Sequence, residues 1–200
     1  MPNWTQNHVT LSHTDSTMIE RAVNAFKRGE MLHEFIPVPQ ALTDTVSGYF
    51  GNDTDKQSAL EAKQVANTEK YGYANWYDFR VAEHGVKWDI GGDGCQCEVF
   101  GDTMIIDFDS AWSPPLQAYE KLIGMGFNIV AYYYEPGECF AGIWDNGDDS
   151  CYNNFADSVS AAEMLPADLN EMFNISEQLA DNEQEAEDWA STLFDVDTAE

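Results

Sequence analysis

At 200 residues with 44% hydrophobic content, the chain is long enough to bury a core of its own and too apolar to stay unfolded. Its 36 acidic against 9 basic residues give a formal net charge of −27, a field that repels nucleic acid and anionic membranes and favours cations or basic protein surfaces. No apolar run approaches the roughly 20 residues that span a bilayer, and the amino terminus lacks a basic-then-apolar leader, so a soluble cytosolic protein with four reduced cysteines is expected.

In chain order, Asn7 to Ser12 alternates polar and apolar residues as a half-buried strand does. Asp15 or Ser16 caps a helix whose Met18, Ile19, Ala22, Val23 and Phe26 recur at helical spacing, and Gly29 closes it. His33 to Pro39 carries two prolines and reads as a connection or sheet edge. The stretch 43–52 reads as a turn, and Asp55 to Tyr71 as a surface helix rich in Ala, Glu, Lys and Gln. The span from Lys70 to Ile90 packs Tyr71, Tyr73, Trp76, Tyr77, Phe79 and Trp88 around a stop at Gly85. It predicts a helix over 76–84 and a strand over 86–90.

Cys95 to Phe100 and Met104 to Phe108 form a hairpin about Gly101-Asp102. Ser113-Pro114-Pro115 opens a helix with Leu116, Tyr119, Leu122 and Ile123 on its buried face. Strands at 127–134 and 139–144 flank Pro136-Gly137, and Cys151-Tyr152 begins a last short strand. The order predicts an α+β fold, an antiparallel sheet with helices packed on one face. A domain over 1–156 contains a helical insertion at about 40–85, and an acidic helical segment occupies 157–200.

Met1-Pro2-Asn3-Trp4, Phe35-Ile36-Pro37-Val38-Pro39, Tyr71 to Arg80, Gly85-Val86-Lys87-Trp88-Asp89, Phe108 to Pro115, and Tyr134-Glu135-Pro136-Gly137 with Phe140-Ala141-Gly142 are ordered, spaced motifs. Over roughly residues 1 to 145 they resemble the YubB-type family of phage- and plasmid-encoded proteins. The resemblance implies a ferredoxin-like fold, a strand topology that carries no iron–sulfur cluster. It implies no catalytic residue, because the family has no established activity. The acidic segment beyond Asp157 lies outside the shared pattern.

Several constellations invite chemistry. Cys95 and Cys97 share a strand face, and Cys139 and Cys151 would complete a four-thiolate set, but the spacing is not that of a zinc knuckle. Asp107 and Asp109 also share a face, as a metal-dependent phosphoryl-transfer site requires, without any phosphate-cradling glycine loop or surrounding cations. Glu83, His84 and Asp89 bracket a turn, where an exposed histidine at a helix end is expected to serve the helix dipole. His8, His13 and His33 show no ligand spacing. Trp76, Tyr77, Phe79, Trp88, Trp112, Tyr132, Tyr133 and Tyr134 are expected in packing, with Arg80 and Lys87 paired to carboxylates.

The sharpest signal is charge. Every Lys and Arg lies at or before Lys121, so the last 79 residues (200 − 121) hold carboxylates with no basic neighbour. On a helix from Glu177 to Phe194, Glu177, Asp181, Glu185 and Asp188 take one side and Leu179, Ala186, Trp189 and Leu193 the other. The steps set carboxylates roughly 5 to 6 Å apart along the axis, approaching the repeat of phosphates along a nucleic-acid strand.

The expected function is therefore a non-enzymatic accessory protein of the host cytoplasm. It would inhibit a basic host nucleic-acid-binding or defence protein through Glu177, Asp181, Glu183, Glu185, Glu187 and Asp188, with Trp189 as an anchor. Neither a cofactor nor direct contact with nucleic acid or membrane is expected, and the oligomeric state is open, a dimer included. The alternatives are a metal-dependent enzyme on Asp107 and Asp109 and a self-associating module that pairs sheet edges.

Overall fold

The structure, a computed structural model, describes residues 3–155 and 157–196, the side chains of residues 192–196 excepted. β1 (Trp4–Ser12) buries Thr5, Asn7, Val9 and Leu11 and leaves the residues between them more open, the period-two pattern of a strand with one face on a core. α1 (Ser16–Lys27) begins where the Asp15 carboxylate accepts the Thr17 N–H at 2.9 Å. Ile19, Ala22, Val23 and Phe26 then turn its apolar stripe onto the sheet. Short α2 (Met31–Phe35) and α3 (Gln40–Thr43) lead to the surface helix α4 (Thr54–Tyr71) and to α5 (Trp76–Glu83). The hairpin of β2 (Gln96–Phe100) and β3 (Thr103–Ala111), then α6 (Leu116–Gly124) and β4 (Asn128–Glu135), complete a β-α-β-β-α-β order. β5 (Phe140–Asp145) and β6 (Asp148–Asn153) extend the sheet, and α7 (Ser158–Met164), α8 (Ala167–Phe173) and α9 (Ile175–Val196) follow.

The six strands run β2-β3-β1-β4-β5-β6, each antiparallel to its neighbours. The first four have the ferredoxin-like arrangement, so the protein is α+β. Strand parity sorts the side chains into two layers. Val9, Leu11, Met104, Ile106, Ile129, Ala131 and Trp144 face α1, α2 and α6 in the main core. Tyr132, Tyr134, Ala141 and Ile143 face the other way and pack with Phe155 and with Ala161, Leu165, Leu169, Ile175 and Leu179 of α7, α8 and α9. The acidic segment thus docks across the β4–β6 half of the opposite face.

Two glycines are fixed by close approach. A Cβ at Gly91 would run into the Phe26 carbonyl oxygen, and the Gly92 N–H donates to that same oxygen at 2.7 Å. A Cβ at Gly142 would overlap the hydroxyl of buried Tyr133, which crosses the glycine to donate to Asp149 Oδ1 at 2.7 Å.

Some local expectations give way to tertiary contacts. Val86 to Ile90 is not a strand: Val86 and Ile90 sink into the core, and the Asp89 carboxylate accepts the Leu32 and His33 N–H groups at 2.7 and 2.9 Å. That carboxylate satisfies orphan first-turn N–H donors of α2, which Glu30, lacking a side-chain cap bond, does not. The start of α6 lies beyond Ser113, because the residue before a proline is pushed out of the helical region. Pro115 is the cap residue, and the Ser113 hydroxyl donates to the Gly85 carbonyl at 3.3 Å instead.

Candidate functional site

The acidic segment has two parts with different surroundings. In the first, Asp157 starts α7 by accepting the Ser160 N–H at 2.7 Å, and the Ser160 hydroxyl completes a capping box. These bonds hold the Asp157 carboxyl below the usual range. The Tyr132 hydroxyl donates to Asp168 of α8 at 3.0 Å, and Leu169 and Ile175 are wholly buried beneath Phe155 and Tyr134. Glu183 of α9 reaches back across the segment, accepting the Ser158 N–H at 2.7 Å and the Ser158 hydroxyl at 2.9 Å. A residue expected to face a partner is spent on the first turn of α7.

The second part begins there. From Asp181 to Asp188 every described residue of α9 is exposed, and Trp189 is 69% exposed. At about 1.5 Å rise per residue, the helix reaches roughly 20 Å from Glu183 to Val196. Glu177, Asp181, Glu185, Glu187 and Asp188 all lie on the solvent side, while Asp188 also accepts Gln184 Nε2 at 2.9 Å. Of the expected apolar side, Leu179 is buried and Ala186 is exposed, and the side chain of Leu193 lies outside the described residues. The stripe therefore docks only through its first turns.

The second candidate is an open groove of about 450 Å³ on the half of that face left uncovered by the acidic segment. Gln6 and His8 of β1, Asp107 and Asp109 of β3 and Gln96 of β2 line it, with Met172 and Phe173 of α8 at its rim. The antiparallel register sets His8 opposite Asp107, and His8 Nδ1 lies 2.7 Å from Asp107 Oδ1. Burial pushes the Asp109 carboxyl up. The shared face of Asp107 and Asp109 was legible from alternation; His8 was missed, because which strand neighbours β1 and in what register is a long-range property. Among the described residues no three His, Cys, Asp or Glu side chains gather as a metal-ligand set.

The remaining constellations are dispersed. Cys95 and Cys97 lie at or beside β2 and Cys151 lies in β6, at opposite edges of the sheet, five strand spacings or roughly 24 Å apart. A four-thiolate site does not form, and burial raises both Cys95 and Cys97. Glu83 pairs with Lys121 and accepts the Tyr73 hydroxyl. His84, expected to be exposed, is wholly buried, its Nε2 lying 2.8 Å from the Ile36 carbonyl and its pKa lowered by desolvation. With Asp89 occupied at α2, no acid/base group forms there.

Arg80 and Lys87 also depart from expectation. Neither forms an ion pair among the described residues: the Arg80 guanidinium lies 5.8 Å from the Trp76 ring centroid, and Lys87 Nζ lies 4.8 Å from that of Trp88.

No family model matches the chain, and no curated protein matches it. Among solved structures, protein api92 from Yersinia pseudotuberculosis is similar, with a TM-score of 0.43 and 11% identity over 77% of this chain and 99% of that one.

Proposed function

We propose that this chain is a non-enzymatic binding protein whose carboxy-terminal acidic surface engages a basic protein in place of nucleic acid. One observation carries the reading: the exposed run of α9 from Asp181 to Asp188 presents Asp181, Glu185, Glu187 and Asp188 in a region with no lysine or arginine after Lys121. Like charges at helical spacing destabilise a helix, so the arrangement is costly unless a cationic surface meets it. Glu177 and Asp181 continue the stripe toward the body of the protein, and Glu183 fixes its direction by gripping Ser158. The resemblance to phage- and plasmid-encoded proteins makes a host nucleic-acid-binding or defence protein in the host cytoplasm the natural target, and occlusion of its nucleic-acid site the mode of inhibition.

The test is competition. A partner retained from bacterial lysate on the immobilised protein is expected to be released by rising salt, because exposed charges are screened beyond about 8 Å at physiological ionic strength. Duplex DNA should release it as well. Glu185→Lys with Glu187→Lys should lower retention while leaving the fold intact. Retention indifferent to salt and to DNA would sink the proposal.

The groove supports a second reading, in which His8, oriented by Asp107, acts as a base and Asp109 assists a metal-dependent reaction. Stoichiometric metal surviving dialysis, and lost on Asp107→Asn with Asp109→Asn, would favour it over the binding role.

A further inference from the structure

Away from both candidates, the turn after α5 builds a corner of stacked indoles. Trp4 from β1, Trp88 and Trp112 form a continuous ladder, with ring centroids 5.7 Å apart at 26° and then 6.1 Å apart at 15°. These large apolar rings are 46%, 39% and 48% exposed, although each comes from a different part of the chain. Trp112 is held there in a left-handed backbone conformation, φ 66°, a conformation unusual for a bulky residue, with its N–H on the Asn3 carbonyl at 2.9 Å. Beside the ladder, Val38, Thr43, Trp76, Arg80 and Trp88 line a slot of about 280 Å³.

Two cations of this corner stand without a carboxylate partner among the described residues. Acidic residues outnumber basic ones 36 to 9, so cations with no carboxylate partner are unexpected. Yet Arg80 lies against Trp76, gives its Nη1 only to the Lys87 carbonyl at 3.4 Å and leaves its buried Nε–H without an acceptor. Lys87 lies between Trp88 and Tyr77, at 4.8 and 5.8 Å from their centroids. Ring faces orient both cations without neutralising them.

We propose that this corner binds a nucleotide, its base stacked on the indole ladder and its phosphate held by Lys87 and Arg80. The inner faces of the ladder meet one another, and the outer indoles Trp4 and Trp112, about half exposed, offer flat faces that suit a flat ring. A phosphate monoester brings about 1.5 to 2 negative charges near neutral pH, which two cations match. A nucleic-acid polymer brings one charge per nucleotide against a net −27, and a second copy of this chain brings another −27, so a single nucleotide is the occupant.

Titration of the full chain with adenosine monophosphate, adenosine and inorganic phosphate, followed by tryptophan fluorescence and calorimetry, tests this. Adenosine monophosphate is expected to bind saturably, adenosine several-fold more weakly, and phosphate alone not measurably. Trp88→Ala should weaken the nucleotide by about tenfold or more. Lys87→Gln, a change at the surface that keeps the ladder, should bring adenosine monophosphate down to the level of adenosine. Failure of the nucleotide to saturate, equal binding of phosphate alone, or indifference to Lys87→Gln would each overturn the proposal. A rise in mass with protein concentration that Lys87→Gln abolishes would overturn it too, by assigning the corner to a second copy.

Discussion

The two parts of the acidic segment both lack a lysine or arginine and differ in fate. From Ser158 to Leu179 the chain carries acids at Glu163, Asp168, Glu171 and Glu177, yet it lies on the sheet because Ala161, Leu165, Leu169, Ile175 and Leu179 enter a small core with Phe155, Tyr134 and Ala141. From Asp181 to Asp188 the acids are denser, five in eight residues against four in twenty-two, and every described residue faces solvent. Burial of a leucine- or phenylalanine-sized side chain contributes roughly 1.5–3 kcal/mol, whereas exposed charges cost tenths of that scale. Apolar spacing therefore decides where the segment docks, and charge decides only what the undocked part can meet.

Four measurements break or sharpen this contrast. Leu169→Ala removes a wholly buried side chain from the small core and is expected to cost about 2–5 kcal/mol. Amide exchange should rise across α7, α8 and the start of α9 and stay slow in β1, whose core lies on the opposite face. Equal loss in both places would show that the two layers do not separate. Glu183→Ala strips the first turn of α7 of its acceptor and should cost about 0.5–2 kcal/mol, on the scale of a lost helix cap. Its signature is faster exchange at the Ser158 amide.

Acid titration is the third. The Asp157 carboxyl has a folded pKa depressed below 3.8, so its cap is fully present above that value and is lost as pH falls through the folded pKa. Helical circular dichroism should therefore decline at that end of the scale, and Asp157→Asn should remove the share due to α7 while the share of the Asp15 and Asp53 caps remains. The smallest change in stability, within about 0.5 kcal/mol, is expected for Glu185→Lys with Glu187→Lys, because surface substitutions rarely exceed that. The same pair should change salt-dependent capture of a basic partner most, a dissociation of stability from binding that the docked half cannot show.

Elements governed by local rules could be read from the chain. The stripe of α1, the Asp15 cap, the Gly101-Asp102 hairpin and the strands at β4 and β5 follow from periodicity and turn chemistry, and alternation set Asp107 and Asp109 on one face. What failed depended on partners distant in sequence. Asp89 looked like a strand residue because nothing local shows that it caps α2. His8 carried no signal because its neighbour Asp107 lies 99 residues away. Arg80 and Lys87 were assigned to carboxylates on abundance, whereas the fold surrounds them with indoles and a phenol. The helix expected from Glu177 to Phe194 lies within α9, but the breaks at Pro166 and Asn174 and the docking of α7 and α8 on the sheet carried no signal in the helical reading of the segment.

The outer strand β6 has a consequence for how the molecule behaves among its own kind. A terminal strand offers unpaired backbone groups to any strand that drifts alongside, the usual opening for runaway sheet growth. Here Asp148 and Asp149 stand exposed on that rim, and an approaching copy carries the same two anions. The rim thus sets like charge against like, which opposes edge-to-edge pairing of two copies.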